Sequence, residues 1–292
     1  MKRAIIAIAV VAAALGGGAY GKTIYVDGRA GGANNGTCWA DAYKFLQDAL
    51  TDADSSEKPV EIRVGQGVYQ PDRSAAEPNG TRDTMATFRL INAVTIQGGY
   101  AGLGHIEPNT RDIELYETIL SGDLKGDDAN VANLEDLLWE ATRSDNSWRV
   151  VEAWDTDGSA RLDGFTVTAG NNPAVCKSGP CAGLRNLRAS PTIERCTFTA
   201  NAAGAGGGIC SYEESNPSII SCVFTGNYAG NGGAIYGGAG LILRCVFNNN
   251  AGYGGGAIAA CVGQIRECIF YIRGQHGGER RGIIRCVGRS NS

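Results

Sequence analysis

The chain reads as an all-β protein, a single-stranded parallel β-helix, on three observations. The motif C-x-F-x-x-N recurs near the C-terminus, with copies beginning at Cys196, Cys222, Cys245 and Cys268, spaced 26, 23 and 23 residues apart. Phe198, Phe224, Phe247 and Phe270 keep the same phase, and Asn201, Asn227 and Asn250 complete the first three copies. Between copies a small-residue pair precedes an isoleucine: Gly207-Gly208-Ile209, Gly232-Gly233-Ala234-Ile235 and Gly255-Gly256-Ala257-Ile258. Self-similarity at a period of roughly 20–50 residues marks a solenoid, whose repeats bury their apolar sides only by stacking on neighbours. Cys and Phe lie two apart and share one face of an extended strand, while Thr197, Val223, Val246 and Ile269 face the other way. No run of apolar residues at three- and four-residue spacing fits between the glycines, so helices are excluded there. Stacked coils then place Cys on Cys, Phe on Phe and Asn on Asn at about 4.8 Å, and stacked Asn side chains can hydrogen-bond along the axis.

In chain order, residues 1–21 open with Lys2 and Arg3, run apolar from Ala4 to Leu15 and end in Ala19-Tyr20-Gly21. This is the pattern of a signal peptide cleaved before Lys22, because the apolar stretch is shorter than the ~20 residues a membrane span needs. No other segment is apolar enough to be a transmembrane span. Thr23-Ile24-Tyr25-Val26 starts a strand. Trp39, Ala42, Tyr43, Leu46, Ala49 and Leu50 then form a helical stripe that predicts an N-terminal capping α-helix over about 39–53. Such a cap covers the open core and unpaired edges of a first coil, and its aromatic residues read as core. Glu61-Ile62-Arg63-Val64, Val68-Tyr69, Thr87–Leu90, Ala93–Ile96, Thr118–Leu120, Val150-Val151 and Leu162–Val167 continue as degenerate coils with longer side loops. One elongated domain over 22–270 is expected, with its clearest repeats over 191–270. The tail, 271–292, departs from the pattern: position 273 is Arg where Asn is due, and five arginines stand against Glu279 alone. Two readings of it stand, a divergent capping coil and a truncated or frameshifted end.

The G-G-A-I and F-x-x-N units over Pro191–Phe270 resemble the repeats of the polymorphic outer-membrane protein family of bacterial surface proteins. The chain is also similar to secreted right-handed β-helix proteins that share the pectin-lyase fold, with E-I-R-V-G-x-G-V-Y and V-T-I-x-G-G-Y carrying the likeness over roughly 22–171. The right-handed sense comes from this resemblance, together with the usual hand of parallel β crossovers. The resemblance implies a secreted protein, extracellular or on the outer cell surface, and a fold that hosts polysaccharide lyases, glycoside hydrolases and proteins without catalysis.

Without Lys2 and Arg3 the chain carries 24 basic and 30 acidic residues, which argues against nucleic acid as a partner. Of the ten cysteines, Cys196, Cys222, Cys245 and Cys268 read as apolar fillers of an interior row, since ladder spacing exceeds the Cβ separation a disulfide prefers. Cys176 and Cys181 are the expected disulfide. With two histidines and no C-x-x-C, a transition-metal site is not expected.

The acidic cluster Asp123, Asp127 and Asp128, in a glycine-bent loop, is the candidate for a Ca²⁺ site, with a solvated polar turn as the plainer reading. It lacks the EF-hand pattern. Arg143, Arg149 and Arg161 are candidate bases with nothing in their sequence context to tie them to Asp123. Asp155, Asp157 and Asp163 could supply a hydrolase pair, but no catalytic motif matches residue by residue. The sequence therefore points to a monomeric structural or adhesive scaffold that binds polysaccharide or envelope components. The alternative is a pectate-lyase-like enzyme that uses Ca²⁺ for β-elimination on acidic polysaccharide. The low-charge repeats over 191–270 look structural, which places any site within about 72–172.

Overall fold

The computed structural model describes residues 21–173, 180–273 and 279–284. The signal peptide expected over 1–21 lies outside them except for its last residue. The chain is a right-handed parallel β-helix: each coil lays one short strand on each of three or four sheets, and each strand pairs in parallel with its counterpart in the next coil. Sheet I runs from Lys22–Val26 through Val60–Gly65, Val94–Tyr100 and Arg161–Asp163 to Gln264–Arg266. Sheet II runs from Gly67–Tyr69 to Cys268–Arg273, to which Glu279–Ile284 adds an antiparallel strand. Sheet III is shorter: Asn171–Asn172, Ala202–Ala205, Tyr228–Asn231 and Ala251–Gly254. Sheet IV runs from Phe88–Arg89 through Val151–Trp154, Leu184–Leu187, Ile209–Tyr212 and Ile235–Gly237 to Ile258–Ala259.

Each sheet sends one row of like side chains inward. Ile24, Ile62, Ile96, Leu162, Ile193, Ile219, Ile242 and Ile265 align along sheet I. Tyr69, Leu120, Val167, Phe198, Phe224, Phe247 and Phe270 align along sheet II. The four phenylalanines stack nearly parallel, with ring centroids 5.1, 5.0 and 4.6 Å apart. Each stacked pair adds about 0.5–1.5 kcal/mol to the gain from burial. Cys196, Cys222, Cys245 and Cys268 lie beside this row, fully buried, each with Sγ against the carbonyl two residues before it.

The corners explain the rest of the repeat. The expected strand Leu162–Val167 is broken into Arg161–Asp163 and Thr166–Thr168, because Gly164 turns left-handed at φ 78°. Beyond sheet II the late coils bend through a left-handed residue (Ala200, Gly226, Asn249) and the next position carries the asparagine ladder. Asn201 Nδ2 donates to Asn227 Oδ1 at 3.1 Å, and Asn227 Nδ2 donates to Asn250 Oδ1 at 2.9 Å. The same amides donate to the carbonyls of Val167 and Phe198 in the preceding coil.

Two expectations need correction. The helix expected over 39–53 is α1, Leu46–Ser55. Residues 39–45 ahead of it turn and bend instead of coiling, because Tyr43 bridges in parallel to Val26 and exchanges backbone hydrogen bonds with Tyr25 and Asp27. Tertiary pairing thus outweighs the helical stripe of Trp39, Ala42 and Tyr43. Leu46, Ala49, Leu50 and Ala53 of α1 join the same core as the first strands of sheets I and IV. The second correction concerns Cys181, which is bonded to Cys210 on the neighbouring coil, with Cα atoms 5.8 Å apart. Parallel pairing of Leu184–Leu187 with Ile209–Tyr212 brings those two together, a contact 29 residues away in sequence. Cys176, the partner expected from proximity, lies outside the described residues.

Candidate functional site

The early coils leave the solenoid in three long excursions: 70–87, 101–117 and 122–150. The third holds the candidate Ca²⁺ ligands Asp123, Asp127 and Asp128 and the only 3-10 turns among the described residues, Leu134–Leu138 and Ala141–Arg143. It folds back over sheet III, where Leu137 packs on Ala202 and Tyr228, with Val131, Leu134 and Leu138 around them. Among the described residues sheet III has no strand before Asn171.

Arg143 pins it there. Its guanidinium is 3% exposed and donates to Asp128 Oδ2 at 2.7 Å, to the Ala200 carbonyl at 2.8 Å and to the Gly170 carbonyl. Asn146 donates to the same Asp128 oxygen at 2.9 Å and to the Ala169 carbonyl. Burial pushes the Asp128 carboxyl up to about 6 although Arg143 and Asn146 pull it down, with Asp123 and Asp145 adding repulsion. Burial also lowers Arg143, against the pull of Asp128. Desolvation therefore outweighs attraction on both partners, as expected of a buried ion pair.

Carboxylate oxygens of Asp123, Asp127 and Asp128 lie within 4.8 Å of one another. That spacing suits Ca²⁺, but both Asp123 oxygens and Asp128 Oδ2 are already engaged. Asp123 Oδ1 accepts from the backbone N–H of Gly126 and Asp127, and its Oδ2 from that of Asp128. Asp128 Oδ2 serves Arg143 and Asn146, leaving the buried Asp128 Oδ1 without a hydrogen-bond partner. The loop thus uses Asp123 to organise its own backbone.

The other candidates stay apart from this cluster. Asp163 is buried between Arg111 and Arg195 on sheet I, which hold its carboxyl low against the cost of its burial. Arg161 pairs with Glu194, Asp155 with Arg188, and Asp157 accepts from Ser159. Arg149 is likewise engaged.

Where Val131–Glu135 overhangs the later coils, a groove of about 880 Å³ opens, lined by Asn133, Glu135, Tyr228, Asn249, Tyr253 and Tyr271 among others. Burial, and then the Tyr253 hydroxyl, push the Tyr228 phenol up to about 12, so it stays protonated as a hydrogen-bond donor. Sequence reasoning missed this groove because one wall comes from the early coils and the other from repeats that looked purely structural. It also missed the Arg143–Asp128 pair, fifteen residues apart in an irregular loop.

A family model described as the right-handed β-helix region matches residues 154–283. No curated protein matches the chain. No solved structure matches it either. Among the described residues, no helix is long and apolar enough to cross a membrane.

Proposed function

We propose that this β-helix repeat protein is a secreted or cell-surface scaffold that binds polysaccharide in the groove over sheet III. The groove carries the reading: three tyrosines, asparagine amides and one carboxylate line a cleft of about 880 Å³. Aromatic rings offer flat apolar faces with a polar edge, and amides offer paired donors and acceptors, which together suit the hydroxyl-rich rings of a glycan. Export is supported by the N-terminal pattern, and surface residence by the likeness of the repeats to those of polymorphic outer-membrane proteins. Affinity electrophoresis of the purified protein through gels containing a panel of polysaccharides is the test. At least one polysaccharide should retard it, and Tyr253→Ala, at a side chain 85% exposed, should weaken the retardation without lowering the melting temperature. Retardation unchanged in that variant would sink the reading.

The rival reading, a lyase acting on acidic polysaccharide, draws on the grouping of Asp123, Asp127 and Asp128 next to Arg143. Ca²⁺ held there would neutralise a sugar carboxylate, and a base would then take the proton α to it. Arg143 does not suit that task, being buried and committed to three acceptors. Incubation with polygalacturonate and Ca²⁺ should give no rise in the ultraviolet absorbance of unsaturated product. A rise removed by chelator and by Asp123→Ala would establish the lyase.

A further inference from the structure

Sheet IV carries an aromatic strip on its outer face, away from the groove. Strand alternation sends Val151, Ala153, Leu184, Asn186, Ile209 and Ser211 inward, where all are buried. The outward positions of consecutive coils then align Trp154 with Leu187 and Leu187 with Tyr212. Tyr236 stands one coil further on, its ring 5.7 Å from that of Tyr212. Trp154 keeps 44% of its surface exposed, and the other three are partly exposed. The outer face of sheet II, by contrast, carries Thr166, Thr197, Thr199 and Val223 at its outward positions.

The two arginines nearest the rings, Arg185 and Arg188, are already spoken for. Arg188 lies over the Trp154 ring, 5.8 Å from its centroid, and donates to Asp155 and Glu213 at 2.8 Å each. Arg185 is held by Glu152 on the adjacent strand. Glu152, Asp155, Glu213 and Glu214 outnumber Arg89, Arg185 and Arg188 along this edge. A carboxylated polymer would therefore meet one exposed arginine, Arg89, at the strip's end and an excess of like charge along the rest of it. An uncharged sugar chain can stack on the rings while its hydroxyls bond to the fixed ion pairs.

We propose that this strip is a second binding face, for a neutral, extended β-linked glycan, running along the solenoid axis. It rests on the polysaccharide-binding reading and adds to it a separate site and a chemical class. Two ladder steps separate Trp154 from Tyr212, about 9.6 Å, close to the two-sugar repeat of a β-1,4-linked chain. Each ring can thus meet the same face of every second sugar.

The test is calorimetric titration of the full chain with cellohexaose and, separately, with polygalacturonate. Cellohexaose should bind, and the paired substitution Trp154→Ala with Tyr212→Ala should weaken it by roughly tenfold or more. Tyr253→Ala should leave the strip's share of the binding in place. The unfolding transition of each variant shows that the solenoid is intact. Cellohexaose bound equally well by the paired variant overturns the strip. If Tyr253→Ala then abolishes binding, the groove reading survives alone. Polygalacturonate bound through Trp154 and Tyr212 in preference to cellohexaose overturns the neutral class. If neither glycan binds the unaltered protein, the strip fails, while the wider panel tests the groove separately.

Discussion

The early coils, 60–172, and the late coils, 191–270, share one core and differ in everything attached to it. The sheet II row runs through both, but it is Tyr69, Leu120 and Val167 in the early part and four phenylalanines in the late part. Late turns are a few residues long and repeat, while early turns swell into excursions. Burial of charge follows the same division. Glu61, Asp72, Arg143 and Asp163 are buried in the early coils, whereas the buried polar groups of the late coils are uncharged: Asn201, Ser211, Ser215 and Asn227. Repetition stacks like on like, which suits rings and amides but would stack like charges about 4.8 Å apart. A coil that buries a charge must therefore break the repeat and find a counter-charge, on its own strand as Glu61 does with Arg63 or from a loop. Arg111 reaching Asp163 and Arg143 reaching Asp128 are two such cases.

The largest effect that should separate the regions is in the core row. Phe224 is fully buried between Phe198 and Phe247, so Phe224→Ala should cost about 3–5 kcal/mol. Val167→Ala, in the same row, removes less volume and no stacked ring, and should cost well under half of that. Denaturant unfolding of the two variants measures the difference. Equal costs would mean that the phenylalanine stack contributes nothing beyond filling space.

A smaller and more local effect is expected at Arg143. Replacing it by Met keeps the stem but removes three hydrogen bonds and strands Asp128, a loss on the order of 3 kcal/mol for a broken buried pair. That loss should fall on the excursion and not on the solenoid. Hydrogen exchange should quicken at Leu134–Leu138 and stay slow at Val223–Thr225. Uniform quickening would show that excursion and solenoid unfold as one unit, and the contrast between them would dissolve.

How much of this was legible in the sequence follows from the same division. The late coils announce themselves because stacking rewards identical residues at identical phase: Cys, Phe and Asn repeat as the ladder requires. The early half of the isoleucine row of sheet I, Ile24, Ile62, Ile96 and Leu162, was hidden, since its spacing is set by the lengths of the excursions. The helix boundary was misplaced because Tyr43 bridges to Val26, a tertiary contact that no helical period reveals. Cys181 was paired with its neighbour in sequence although its neighbour in space is Cys210, one coil away. Asp123, Asp127 and Asp128 were visible as a cluster, but not that Asp123 would bind its own loop. Distance along a solenoid is counted in coils, and the irregular coils hide that count.

The smallest expected effect is a pH dependence that belongs to the excursion alone. Asp128 is raised by burial to about 6, above the ~3.9 of an unfolded aspartate. Between those values the folded chain holds a proton that the unfolded chain has released, so stability falls as pH rises. This contribution is complete below about pH 4 and is lost as pH rises through about 6, the reverse of a carboxylate whose pairing lowers its pKa. Asp163, held low by Arg111 and Arg195, has the opposite sign, its stabilisation present at neutral pH and lost in acid. In a pH series, exchange protection relative to the intrinsic rate at each pH should therefore rise at Leu134–Leu138 between pH 7 and pH 5, and Asp128→Asn should flatten that change. Over the same range the strands of sheet I around Asp163 should hold steady, then loosen in stronger acid. If both regions responded to pH together and with one sign, the buried charges of the early coils would not be acting as separate local devices. The excursion would then be no more than a longer turn of the same solenoid.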